Sequence, residues 1–323
     1  MAISIDTPVP THLGWMPAGN LQLGDILYTP DSGHATITRL HVYNPGHCYE
    51  VEFDDGITFV CDEHTKLQVQ DREQRNMVTK AINRKNRKHK FGVRGQYPIK
   101  TITEIEENYI RPDKRLEYSV LNSRAVAFPT RDLPVPPYLL AIWLAVKTPK
   151  NNLWVNNLPI EKIKRIARNY GYAIVVRKVH SKRPGFDIRP SIKDSFLFAG
   201  AEIPNSIPLS YMESSIEQRQ EFVEGLIDSQ KPWYDSKLNK YVINDMSFSY
   251  LKHLQGLLES LGYKTSLMKY KSAKHYRLQF KLHENPRKNR RLIKKITKIP
   301  AQECVHIETG TQFVVGEGFI PLC

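Results

Sequence analysis

Cysteine is scarce in this chain and poorly spaced for holding anything together. The four cysteines, Cys48, Cys61, Cys304 and Cys323, form no C-x-x-C pair. That spacing argues against structural zinc and against a disulfide framework, and it fits a reducing compartment. Long apolar runs are missing too, since no stretch approaches the ~20 residues of a membrane-spanning helix. The N-terminus lacks the basic-then-apolar layout of a secretory signal. These absences predict a soluble, cytoplasmic protein with no membrane partner. Acidic residues are in deficit: 33 Asp and Glu face 47 Lys and Arg, a net charge of +14. A surplus of that size suggests a polyanionic partner. It is also clustered. Met77 to Thr103 holds eight Lys/Arg and no acid, and Asn285 to Gln302 holds seven more with none.

What is present is ordinary in kind: 323 residues, 41% hydrophobic and 25% charged. That length predicts two domains, each with a core of its own. Residues 1 to about 75 read as strands, because "ATITRLHVY" and "CYEVEFDDGITFVCDEHTKLQVQ" alternate apolar and polar, with Asp55 and Gly56 as a hairpin turn. The end of the chain, "ECVHIETGTQFVVGEGFIPLC", alternates in the same way. Between them lie helices. One is expected from Pro137 to Ala145, and another after a Ser215-x-x-Gln218 capping box, running to about Ser229. Two amphipathic helices, "IEKIKRIARNYGY" and "FSYLKHLQGLLESLGY", end on Gly171 and Gly262. Each is followed by a strand-like segment closing on lysine, so the middle reads as an internal repeat. Within the first helix of each repeat, small residues lie four apart: Ala141 and Ala145, then Gly225 and Ser229. Positions i and i+4 share a helix face, and small side chains there let two backbones approach and cross side by side.

The segments "LLAIWLAVK" and "VEGLIDSQK" resemble the paired helices of LAGLIDADG homing endonucleases, and the flanks resemble a Hint (hedgehog/intein) domain. The blocks "SIDTPVPTHLGWMPAGNLQLGDILY", "VEFDDGITFVCDEH" and "ECVHIETGTQFVVGEGFIP" stand in the order of an intein, most similar to inteins of phage terminase type. The resemblance implies two domains: an all-β Hint domain interrupted by an α+β, pseudo-two-fold LAGLIDADG domain. The Hint parts would be 1–130, with the basic segment 77–103, and 287–323. The inserted domain would be 131–286, in halves of about 131–213 and 214–286.

Splicing needs a Cys or Ser at the first position, a proton-donating histidine in the second block, and a terminal Asn beside a histidine. Here Ala2 stands at the nucleophile position and His64 keeps the donor role. Cys323 occupies the usual histidine place, with no Asn after it. Some inteins without a first nucleophile start instead from a cysteine in the penultimate block, and Cys304 is at about that place. The endonuclease family expects an acid at the end of each motif helix to hold Mg²⁺. The aligned residues are Val146 and Gln230, so productive metal binding is not expected. Asp228 matches a capping and packing position. Lys147 and Lys231 replace the motif glycines, and would repel a metal while attracting phosphate. Further phosphate contacts are expected from Arg84, Lys85, Arg87, Lys88, Lys90, Arg94, Lys178 and Lys269.

The resemblance thus implies a monomer with flanking extein segments and double-stranded DNA as partners, and no cofactor for splicing. As written, the chain is expected neither to splice nor to cut DNA. The alternative is a non-catalytic nucleic-acid-binding protein on the same scaffold. Hedgehog-like autoprocessing would leave the inserted repeat unexplained.

Overall fold

The computed structural model describes residues 1–83, 97–146, 152–154, 159–177, 185–202, 204, 206–230, 232–236, 239–245, 247–269, 275–281 and 289–323. The chain divides into two compact units. One comprises Met1–Ala127, Leu258–Leu267 and Phe280–Cys323, and the other Phe128–Leu257 and Met268–Gln279.

The first unit is β-rich and is built from both ends of the sequence, as a Hint domain is. At the centre of its large sheet the strands run in the order His34–Tyr43, Cys304–Thr309, Ala2–Ser4, Thr58–Cys61, Cys48–Phe53, Arg290–Ile299. Alternation decides the faces. Ile3, Val51, Phe53, Phe59, Cys61, Val305 and Ile307 point into one buried apolar core. Ala2, Cys48 and Cys304, one residue out of step with them, meet in a second small cluster. The turn between Cys48–Phe53 and Thr58–Cys61 forms at Asp55 and Gly56, with Gly56 at φ 86°. A positive φ of that kind is cheap only for glycine.

Strand patterning did not foresee two helices of this unit. Arg72–Asn83 begins on a reciprocal cap in which Asp71 Oδ1 accepts from the Gln74 N–H and Gln74 Oε1 accepts from the Asp71 N–H. Ile102–Glu106 begins on a Thr101/Glu104 capping box. Both caps are three-residue spacings of the kind read at Ser215. The basic residues that follow the first of these helices, from Arg84 to Arg94, lie outside the described residues.

The α+β repeat makes up the second unit, except that the end of its last helix and most of the strand after it (Leu258–Leu267), and the end of the strand Tyr276–Lys281, fall in the first. The motif helices run Pro137–Val146 and Ile216–Gln230, the latter opened by Ser215 and Gln218 capping each other's N–H groups. The amphipathic helices run Ile160–Asn169 and Phe248–Ser260. Gly171 and Gly262 close them, each at φ 77°. After these closures come strands Ala173–Arg177 and Lys264–Lys269. The sheets are ordered Asn152–Trp154, Gly185–Arg189, Ala173–Arg177 in one half, and Trp233–Asp235, Lys240–Asp245, Tyr276–Lys281, Lys264–Lys269 in the other. No helix among the described residues is long and apolar enough to cross a membrane.

Candidate functional site

The strand register places the sequence-derived residues around the first peptide bond. Ala2 pairs with His306 and Ser4 with Cys304, while Cys304 and His306 pair in turn with Tyr43 and His41 of the strand on their other side. Paired residues share a face, so Ala2, Cys304, His306 and Tyr43 lie together. Cys304 is fully buried, with its Sγ 3.7 Å from Cys48 Sγ. Burial first, then the Cys48 thiol and the Asp62 charge, push the Cys304 thiol up to about 12. At rest it is therefore a neutral thiol.

The peptide joining Met1 to Ala2 is gripped at both ends. Its carbonyl accepts from the Ile307 N–H at 2.8 Å, and its N–H donates to Thr65 Oγ1 at 3.2 Å. The Ala2 carbonyl accepts from the Asp62 N–H at 3.1 Å, and Thr65 Oγ1 lies 2.6 Å from that oxygen. Thr65 Oγ1 also stands 2.5 Å from Asp62 Oδ1, while Tyr43 donates its hydroxyl to Asp62 Oδ2 at 2.6 Å. Asp62 and Thr65 are both buried. Sequence reading missed Tyr43, Asp62, Thr65 and His306. The alternation of "ECVHIE" does put His306 on the Cys304 face, and Asp62 and Thr65 flank the His64 already singled out.

His64 itself is open to solvent. Its side chain is 80% exposed and its Nε2 sits 3.5 Å from Glu63 Oε1. A cleft of about 490 Å³ runs past it, lined among others by Met1, Asp62, Lys66, His306 and Cys323. His306 stacks on His41 with ring centroids 4.8 Å apart and reaches Glu308 Oε1 at 3.2 Å. Burial and then the N-terminal ammonium lower its pKa, while Glu308 opposes them. Cys323 is tied in by its N–H to the Lys66 carbonyl at 3.1 Å, and its Sγ accepts from Gln312 Nε2 at 2.8 Å.

The second group of residues surrounds the motif helices. A Cβ built on Gly225 would fall 2.4 Å from the Tyr138 carbonyl oxygen and 3.1 Å from Ala141 Cβ. Ala141 and Gly225 hold the same place in the two motifs, and here they are where the helices touch. Asp228 accepts from the Tyr138 hydroxyl at 2.8 Å and pairs with Lys162 Nζ at 2.7 Å, and the same ammonium reaches Glu224 Oε1 at 2.7 Å. Gln230 ends its helix with its Oε1 buried and unpartnered among the described residues. Val146 ends the other, although its side chain is outside the described set. No cluster of three or more His, Cys, Asp or Glu able to hold a metal occurs among the described residues. Of the residues expected to meet phosphate, Lys269 is exposed at the end of Lys264–Lys269. Lys147, Lys178, Lys231, Arg84, Lys85, Arg87, Lys88, Lys90 and Arg94 lie outside the described residues.

No family model matches the chain. Over 237 residues it is 29% identical to the replicative DNA helicase DnaB of Mycobacterium intracellulare, a match covering 71% of this chain and 37% of the helicase. The chain thus spans well under half the length of the curated relatives it matches, and these are helicases rather than terminases. Among solved structures, the zinc-bound splicing domain of the Msm DnaB1 intein is 33% identical, covering 21% of this chain and 55% of that one, with a TM-score of 0.20. A mesophilic variant of the homing endonuclease I-DmoI is 14% identical, covering 46% and 89%, with a TM-score of 0.32. These superpositions are partial. The ordered sequence blocks and a sheet that interleaves the two ends of the chain are those of an intein.

Proposed function

We propose that this chain, an intein interrupted by a LAGLIDADG-type endonuclease domain, opens the bond before Ala2 with Cys304 and does not cut DNA with its helix pair. A methyl group cannot attack a carbonyl, so the ordinary route through residue 2 is closed. The observation that carries the Cys304 route is the shared cluster of Ala2, Cys48 and Cys304 on one face of the sheet. Cys304 Sγ forms a thioester with the carbonyl carbon of residue 1, and the Ala2 nitrogen leaves as an amine. The Ile307 N–H, already on that carbonyl, stays on the oxygen as its negative charge develops. One chain supplies every group named, so a monomer suffices. Flanking host segments are the substrates.

The inserted domain is read as a DNA-binding remnant. Support comes from the net charge of +14 with its two acid-free basic runs. The residues present do not fit Mg²⁺. Gln230 offers one neutral oxygen, and the Asp228 carboxylate is already neutralised by an ammonium 2.7 Å away. Magnesium prefers carboxylate and water oxygens in near-octahedral array.

The test is a precursor with a reporter protein placed ahead of Met1. A soluble thiol or hydroxylamine is expected to release the reporter at the bond between residues 1 and 2. Cys304→Ala should slow that release by about 10²-fold or more, the scale expected when a covalent nucleophile is removed. Release at an equal rate from Cys304→Ala would sink the Cys304 route. No release from any variant, Ala2→Cys included, would leave the rival: a nucleic-acid-binding protein on an inherited scaffold.

A further inference from the structure

Breaking the bond before Ala2 requires a proton on the departing nitrogen, whichever nucleophile attacks. His64, the residue the second block nominates, has its side chain 80% exposed and turned toward Glu63. The group on the Ala2 nitrogen is the Thr65 hydroxyl, fully buried, at 3.2 Å. A threonine hydroxyl has one proton and two lone pairs. Here it accepts from the Ala2 N–H while its own proton is directed to Asp62 Oδ1 at 2.5 Å or to the Ala2 carbonyl at 2.6 Å. Asp62 is buried as well, and its second oxygen is fixed by the Tyr43 hydroxyl at 2.6 Å. Buried polar networks of this kind persist only when every member is satisfied, and this one ends on the scissile nitrogen.

We infer that Thr65 is the catalytic proton donor to the Ala2 nitrogen and that Asp62, held by Tyr43, is the group that positions and recharges it. The inference rests on the splicing assignment above but does not depend on Cys304 being the nucleophile. The proton balance closes without any co-reactant. As Cys304 Sγ bonds to the carbonyl carbon, Asp62 takes the thiol proton. As the C–N bond breaks, Thr65 passes its hydroxyl proton to the nitrogen and is reprotonated from Asp62. The products are a thioester on Cys304 and a free amine on Ala2, with no change of oxidation state. The charged and titratable groups around this set are Tyr43, Cys48, Cys61, Asp62, His64, Lys66, His306, Glu308 and, in the free chain, the Met1 ammonium. In a precursor the ammonium is replaced by a peptide. Burial, then Cys48 and lastly Asp62 raise the Cys304 thiol, so an unassisted attack would gain about tenfold per pH unit up to about 12. With Asp62 accepting the proton, that steep dependence is relieved.

The experiment uses the full-length precursor with the reporter ahead of Met1 and follows release from pH 6 to 10. Thr65→Val should slow release by about 10²-fold and Thr65→Ser should stay within about tenfold of the parent, the range for loss and retention of general-acid help. Asp62→Asn should convert a shallow pH profile into one rising about tenfold per unit. A purely structural role would not change that slope. The same Thr65 series is repeated in an Ala2→Cys, Cys304→Ala precursor, where the attack comes from residue 2 but the same nitrogen leaves. Slowing by Thr65→Val in both precursors supports the relay. Slowing by Cys304→Ala alone, with Thr65→Val at the parental rate, overturns the relay and keeps the nucleophile. Melting temperatures of the variants are compared with the parent. If Thr65→Val melts early, Thr65→Ser and the Asp62→Asn slope decide: an unchanged slope overturns the inference.

Discussion

Asp228 and Gln230 stand two residues apart at the end of one helix and meet opposite environments. The Asp228 carboxylate has a phenol and an ammonium on it, whereas Gln230 presents a buried oxygen with no partner among the described residues. The proposed loss of cleavage is therefore assigned to Gln230 and Val146 and not to Asp228, whose carboxylate is already paired. The unaltered chain is expected to leave duplex DNA intact with or without Mg²⁺. Restoring Val146→Asp and Gln230→Asp together with Lys147→Gly and Lys231→Gly should give Mg²⁺-dependent cutting of a duplex from the uninterrupted host gene. Gel analysis of that duplex checks both statements. Cutting by the unaltered chain would mean that the catalytic acids lie elsewhere.

At the scale of elements, the helix pair depends on one missing side chain. Gly225 lets the backbone of its helix rest on the Tyr138 carbonyl, and no rearrangement of a flexible side chain can relieve a Cβ placed 2.4 Å from a backbone oxygen. Gly225→Ala gains helix propensity of about 1 kcal/mol, yet overpacking of this kind costs about 1–3 kcal/mol. The net expectation is destabilisation of the second unit, read as faster amide exchange in both motif helices, with the first unit unaffected. Unchanged exchange would show that the helices have room to separate. The two small-residue pairs were legible in the sequence because helical spacing fixes a face. The caps at Asp71 and Thr101 were equally present as residues, but a three-residue spacing beside strand-like segments does not by itself fix a helix.

For the whole molecule the governing quantity is charge. A surplus of 14 positive charges in a chain with 33 acids should bind duplex DNA through counterion release. Affinity should then fall with a log–log salt slope near −0.9 per phosphate neutralised. Filter binding or fluorescence anisotropy between 50 and 300 mM salt tests this, and a flat response would remove DNA as the partner. Cys304 belongs to this scale too. Its environment is assembled from residues some 40, 260 and 300 positions apart, so its burial and raised thiol follow from the interleaving of the chain ends.

The sequence by itself determined the two-part architecture, the repeat of the inserted unit, the close crossing of its helices and the absence of an acid at either motif end. These follow from local periodicity, small-residue spacing and residue identity, each carried within a few turns or strands. The tertiary structure alone decided which groups touch the bond before Ala2. Alternation gives Thr65, Asp62 and Tyr43 no partner, and His64, named by its block, turns to solvent. Hydrogen bonds across a sheet depend on register between distant strands, and register is set by the buried face as a whole rather than by any one segment.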